Sequence, residues 1–377
     1  MRNTVQFGDM ATSITLRRPF DAHVHLRQGA MLRAVVPLTA EKFAGAVVMP
    51  NTDPPIETVE QAAAYKNEIL DAARHSDILK NVGVSFEPLM TFYLTKNLTP
   101  VDIEKGAAGP PAGGCKIHAV KYYPFGATTN SQWGYRTILE AADVLKNMEE
   151  VGMPLLLHGE VHVNESGEEV DPYEGEKRFI EDVLPQLLDE YPKLKVSLEH
   201  LSSAIAADFI EKNGAVGRLV ATITPHHLLY DREQIENTPL LRCKPLIKSK
   251  ADKESVRALV KKGLPFVFAG TDSAPHPESK KFSANPAFGV FSAPVALELY
   301  TQVFDELDAL YQLENFLSMN GPKFYGVPPS TEIIKLEKKD WQVTEPVVTD
   351  EGENIWPIAH VEHGLGNETI HWRIADN

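Results

Sequence analysis

Cysteine is almost missing from this chain of 377 residues: Cys115 and Cys243 are the only two, too few for a disulfide framework. No apolar run approaches the ~20 residues that a membrane helix needs. Hydrophobic residues nevertheless make up 43% of the chain, the share of a well-cored globular protein. Positive charge is short, with 37 Lys and Arg against 52 Asp and Glu and a net charge of −15. That balance repels phosphate backbones and anionic lipid surfaces at long range, so neither nucleic acid nor a membrane is an expected partner. The opening stretch MRNTVQFGDMATS lacks an apolar segment of the secretory kind, and a cytoplasmic location is expected. Repeats and low-complexity tracts are absent as well. So is a G-x-G-x-x-G phosphate loop after the first strand, which weakens the case for a doubly wound open sheet.

What is present is alternation. Short apolar, β-branched runs at 15–26, 44–51, 87–94, 118–124, 153–160, 195–202, 218–227 and 266–276 are separated by stretches of helical period. In TILEAADVLKNMEEVG, Ile138, Ala141, Leu145 and Met148 recur on one helical face, and DKESVRALVKKG ends on a helix-stop glycine. Eight strand and helix units predict an α/β fold, a (β/α)8 TIM barrel with a C-terminal extension. The alternation fades near Val327, so residues 1–326 are assigned to the barrel and 327–377 to an extension folded back on it. The Gly/Pro-rich 105–116 and the acidic 164–176 read as loops.

Polar groups close nearly every strand. RRPFDAHVHLRQGAM (17–31) carries His23, His25 and Arg27 at two-residue spacing, which on an extended chain puts all three on one face. Later runs close on Asn51, Thr95, Lys121, His158, His200, His226 or His227, and Asp272 followed by His276. In a barrel these ends converge on one mouth, where barrel enzymes keep their chemistry. Imidazoles with a carboxylate suit zinc better than magnesium or calcium. A lone H-x-H is more often structural, but the later histidines and Asp272 turn it toward a metal site. Lys121 is out of place on a barrel strand, since a buried ammonium is costly unless paired or neutralised. It either snorkels to the mouth or, as an amine, takes up CO2 to become a carbamate able to bridge two zinc ions. His118 reads as structural, His226 and His227 are assigned to no metal, and His75, His162, His360, His363 and His371 read as surface residues.

The motifs DAHVHLRQGAML (21–32), VVMPNTDPP (47–55), VKYYPFGATTNSQWG (120–134), PLLLHGE (154–160), LEHLSS (198–203), ATITPHHL (221–228), RCKPLIK (242–248), GTDSAPH (270–276) and NGPKFYG (320–326) run through most of the chain. Together they resemble the amidohydrolase superfamily and, within it, the dihydroorotases of the shorter, bacterial-type class. The resemblance implies a cytoplasmic enzyme of pyrimidine synthesis that interconverts N-carbamoyl-L-aspartate and L-dihydroorotate, small anionic substrates, with two Zn2+ per chain. It makes His23 and His25 ligands of the more buried zinc and His158 and His200 ligands of the more exposed one. Lys121, carboxylated by CO2, would bridge them, and Asp272 would be both ligand and catalytic base. Arg27, Asn51 and His276 match positions that hold the substrate's carboxylate. His25 and His158 also face the substrate, and Thr128 and Thr129 match a mobile loop that closes over it. Lys244 and Phe288 fall where the family uses main-chain groups. The resemblance leaves oligomeric state open, with a homodimer as the assembly considered. The nearest alternatives are a hydantoinase or allantoinase of the same fold, whose substrates generally lack the ring carboxylate, and a non-catalytic scaffold, which would be expected to have lost ligands.

Overall fold

The computed structural model describes residues 12–76, 85–110, 115–164, 166–235, 237–365 and 368–375. Eight parallel strands follow one another in chain order around a single sheet: β2 (Phe20–Val24), β3 (Gly45–Val48), β4 (Glu87–Tyr93), β5 (Ile117–Tyr122), β6 (Leu155–Leu157), β7 (Val196–Leu198), β8 (Leu219–Ile223) and β9 (Val267–Ala269). The ends meet just past β2 and β9, where Asp272 N donates to His23 O at 2.9 Å and His25 N to Ser273 O at 3.0 Å. The sheet is thereby nearly closed into a TIM barrel.

Side-chain alternation divides the core. Phe20, Val47, Leu89, Ala119, Leu156, Val220 and Phe268 pack together inside the barrel, while Val48, Met90, Val120, Leu157, Leu198 and Ile223 belong to the larger cluster shared with the helices. Sequence cues account for the helices as well. Ser249 and Asp252 form a capping box at the start of helix Lys250–Lys261, and Gly263 beyond its end takes φ +63°. Ile138, Ala141, Leu145 and Met148 are all buried, as their period implies. Among the described residues, no helix is long and apolar enough to cross a membrane.

Three expectations need correction. The run 15–26 is not one strand: β1 (Ser13–Arg17) turns away at Arg18 and Pro19 and pairs antiparallel with β10 (Ile333–Trp341), which also pairs with β13 (Ile370–Ile374). The start and end of the chain thus share a three-stranded sheet outside the barrel. The expected loop 105–116 begins inside a helix, Pro100–Ala108, because Thr99 and Asp102 cap it strongly enough to carry it through Gly106; residues 111–114 lie outside the described residues. His360 is not a surface residue: it is 1% exposed, with its ring stacked on His363 and edge-on to Trp356.

Candidate metal centre and substrate cleft

The strand ends deliver their polar residues to one point. β2 ends at Val24, with a register shift against β3 between Asp21 and Val24, and it brings the His23 and His25 rings to a centroid separation of 5.3 Å. His158 follows β6 and His200 follows β7, with ring centroids 4.7 Å apart, and His200 lies 5.2 Å from His23. Asp272, beyond β9, points Oδ1 at His25 Nε2 (3.1 Å) and His23 Nε2 (3.3 Å). Lys121, on β5, lies beneath them fully buried, its Nζ 5.1 Å from the Tyr123 ring centroid. Arg27 does not share a strand face with the histidines as extended spacing implies. It has φ +60°, and His200 (φ +43°) and Asp272 (φ +45°) also lie in the left-handed region, which side chains other than glycine seldom occupy. Such backbone conformations persist only where the surroundings impose them, and they collect at functional sites.

Three of the four histidines are aimed by their second nitrogen. His23 Nδ1 meets Glu199 Oε2 at 2.6 Å, His25 Nδ1 meets Asn51 Oδ1 at 2.8 Å, and His158 Nε2 meets Glu160 Oε2 at 2.7 Å. These contacts leave His23 Nε2, His25 Nε2 and His158 Nδ1 turned toward the centre. That division, one nitrogen held by oxygen and the other free, is how proteins orient metal-ligating imidazoles. The centre also collects orphans: among the described residues, His23 Nε2, His200 Nδ1 and Lys121 Nζ are buried with no hydrogen-bond partner. His158 Nδ1 and His200 Nε2 face each other at 3.1 Å. Buried polar atoms are rarely left so, and a cation among them answers the deficit of the imidazole nitrogens. The residues therefore fit a metal centre, and His23, His25 and Asp272 alone offer three ligand atoms within 4.8 Å of one another.

Electrostatics agree. Burial drives His23 and His200 well below the usual imidazole range, which keeps them neutral and able to coordinate. Burial also lowers the Lys121 ammonium, against the pull of Glu199 and Asp272. Burial favours a protonated Asp272, but His23, His25 and Lys121 outweigh it and bring the carboxyl down to about 2.

Beside this centre is a cleft lined by His23, His25, Arg27, Asn51, Thr128, Thr129, His158, His200, Lys244, Asp272 and Phe288. Arg27 Nε donates to Pro275 O at 2.8 Å, which sets the guanidinium plane and leaves its outer nitrogens toward the cleft, Nη2 lying 3.1 Å from His276 Nε2. His276 Nε2 is also 2.8 Å from Phe288 O, and its ring is kept neutral by burial and by Arg27. Asn51 is engaged at both ends of its amide, since Nδ2 donates to Thr129 O at 3.0 Å. Thr129 Oγ1 reaches Phe288 O at 3.5 Å, whereas Thr128 Oγ1 is buried without a partner. The loop that carries them is thus docked over the cleft.

A profile of the amidohydrolase family matches residues 19–339. The chain is 43% identical to a dihydroorotase of Halorhodospira halophila, over 96% of this chain and 99% of that one. It is 40% identical to a dihydroorotase of Escherichia fergusonii, over 96% and 97% of the two chains. Among solved structures it is similar to a Saccharomyces cerevisiae dihydroorotase crystallised with 5-fluoroorotic acid, at 32% identity and a TM-score of 0.85, covering 97% and 99% of the two chains. The chain belongs to the amidohydrolase family, among its dihydroorotases. It is a hydrolase of cyclic amides, in a family that is in general metal-dependent.

Family membership does not single out the residues that orient the site, and the motif readings passed over three of them. Glu199, Glu160 and Tyr123 all lie against the centre, and two had a visible signal: Glu199 directly precedes His200 in LEH, and Glu160 follows His158 by two in HGE. A carboxylate that close to a strand-end histidine is a cue for an orienting partner. Glu199 uses it across the barrel, however, on His23 rather than on its own neighbour.

Proposed function

We propose that this chain interconverts N-carbamoyl-L-aspartate and L-dihydroorotate plus water, using two zinc ions per chain. The observation that carries this reading is Lys121 Nζ: fully buried, without a hydrogen-bond partner among the described residues, and within electrostatic reach of His23, His158, His200, Glu199 and Asp272. Burial brings the Lys121 ammonium down to about 8, which raises the share of the neutral amine that adds CO2, and its carbamate would supply the anion that two close cations need. His23, His25 and Asp272 would hold one ion, His158 and His200 the other, with carboxylated Lys121 between them. When bound, the ions would supply Lewis acidity and lower the pKa of a water at the centre.

The remaining chemistry belongs to the chain. In ring opening, water adds to the ring amide carbon and the C–N bond breaks. Asp272, facing the centre, accepts the water's proton and passes it to the departing ring nitrogen; in ring closure it runs in reverse. Arg27, braced on Pro275 O, presents a planar fork to the substrate carboxylate, and His276 stands at its side. Thr128 Oγ1 is free to donate to the same ligand. Main-chain groups beside Lys244 and Phe288 complete the cleft wall. A carboxylate corner of this kind favours an acidic pyrimidine over hydantoin or allantoin, in keeping with 5-fluoroorotic acid in the yeast relative. We further divide the chain into a barrel, 1–326, and an extension, 327–377, and take the enzyme to work in the cytoplasm.

Turnover of dihydroorotate beside hydantoin and allantoin tests the substrate. Preference for dihydroorotate by well over an order of magnitude is expected, and equal rates on all three would overturn the reading.

A further inference from the structure

Just outside the cleft wall lies a second group of ligating side chains. His226 and His227 stand in the short helix Pro225–Leu229 that follows β8, and Cys243 stands in the segment leading to Lys244. All three are buried, and they offer ligand atoms within 4.8 Å of one another. His226 is the telling member: it is fully buried, and neither ring nitrogen has a hydrogen-bond partner among the described residues. An imidazole that is only filling space in an apolar core would be expected to hold at least one of its two nitrogens on a carbonyl or hydroxyl.

We propose that His226, His227 and Cys243 form a separate binding site for one thiophilic divalent ion of the zinc class. One thiolate and two imidazoles are a borderline-soft donor set that suits Zn2+ or Co2+ and rejects Mg2+ and Ca2+. Binding would draw donors that lie within 4.8 Å of one another to the about 3.3–3.7 Å that separates ligand atoms around a tetrahedral zinc. The surrounding hydrogen bonds already provide for the protons. Without an ion, His227 Nε2 (3.1 Å) and Cys243 Sγ (3.2 Å) both donate to Pro245 O. With one, the Cys243 proton is released, and His227 carries its proton on Nδ1 instead, where Thr224 Oγ1 lies at 2.8 Å to accept it. His227 Nε2 and Cys243 Sγ then present lone pairs, His226 supplies the third, and Pro245 O is left as an oxygen donor beside them. The sulfur is a metal ligand here rather than a reactive nucleophile: burial pushes the free thiol up to about 12, and only a cation in contact would make it a thiolate at neutral pH.

The position gives the ion a task. It would tie the segment that carries Lys244, and with it one wall of the substrate cleft, to the helix at the end of β8. Lys281, which donates to Arg242 O, Ala287 O and Gly289 O at 2.7–3.2 Å, already holds the same segment.

Cobalt substitution tests this without reliance on turnover. The centre at the barrel mouth contains only nitrogen and oxygen donors, and Cys115, the only other cysteine in the sequence, belongs to no group of three potential ligands among the described residues. A near-ultraviolet thiolate-to-cobalt charge-transfer band in the metal-stripped, cobalt-loaded full-length protein therefore reports Cys243 alone. The band is expected at one cobalt per chain beyond those at the mouth. It should disappear in Cys243→Ser, which then binds one ion per chain fewer, and in His226→Gln it should need at least about tenfold more cobalt to reach half its height. Should Cys243→Ser fail to fold, His226→Gln carries the test. A parent protein that loads cobalt at the mouth yet shows no such band, or a band unchanged in His226→Gln, overturns the proposal. Either result leaves the reading of the barrel-mouth centre untouched.

Discussion

The two ends of the barrel bury charge in opposite ways. At the end where β2 begins, the Arg18 guanidinium is 2% exposed and largely satisfied: its two terminal nitrogens donate to Ser85 O, Phe43 O and Ala40 O and pair with Glu332 at 2.6 Å, and only Nε lacks a partner among the described residues. At the mouth, Lys121 is buried as deeply and its amine touches no acceptor. Burial of a cation is tolerated when the protein supplies its partners and is costly when it does not. The difference is the one expected between a group that holds the fold together and one with the metal-bridging role proposed for Lys121. Full burial alone marks neither role; satisfaction does.

The largest effect should come from Lys121. Replacing it with Ala is expected to abolish the paired metal site and lower turnover of dihydroorotate by at least about 10³-fold, the scale of losing a principal electrostatic element of catalysis. In the parent, stripped protein should regain activity with zinc only when bicarbonate is supplied. Full reactivation under rigorous exclusion of CO2 would remove the carbamate and, with it, the contrast with Arg18. Next, Arg27→Lys keeps the charge and loses the fork. We expect unchanged metal content and a loss of about 2–5 kcal/mol in transition-state binding, read from kcat/KM. Equal kinetics would show that Arg27 does not hold the carboxylate.

The opposite end should answer in stability rather than rate. Arg18→Met leaves three carbonyls and Glu332 without their donor, so a destabilisation of about 2–4 kcal/mol is expected in urea unfolding, with kcat of the folded protein preserved. If turnover falls while the unfolding midpoint stays, the assignment of roles to the two ends is wrong. The smallest effect concerns His118, which lines the surface hollow beside Arg18. Burial, aided by Lys116 and Lys66, lowers its pKa to about 4 from the ordinary 6.5. Between those two values the unfolded chain binds a proton that the folded chain refuses, so stability falls as pH drops through this window and is level above it. His118→Gln should flatten that slope by about 1–2 kcal/mol, its partial exposure considered. An identical pH dependence of the urea midpoint in parent and variant would remove His118 from the acid response.

Local signals explain why so much of the site could be read in advance. Strand runs, helix caps and the polar residue at each strand end lie within a few positions of one another, and barrel topology converts their order along the chain into a ring around one mouth. Departures occur where the deciding partner is remote. β1 leaves the barrel because β10, some 300 residues later, offers Glu337 opposite Ser13 and Ile333 opposite Arg17. His360 is buried by Trp356 and His363, aromatic neighbours that its own spacing does not announce. Arg27 looked like a third strand residue and became a left-handed one, because β2 stops at Val24.

By itself, then, the order of residues determined the eight-fold alternation and the chemical type of every group at the mouth, since periodicity and side-chain identity are properties of the chain alone. Tertiary structure decided which nitrogen of each histidine is free, that Glu199 serves His23 rather than His200, and that His226, His227 and Cys243 meet. It also left Lys121 unpaired. Those outcomes depend on distances between atoms far apart in the chain, and only closure of the barrel sets such distances.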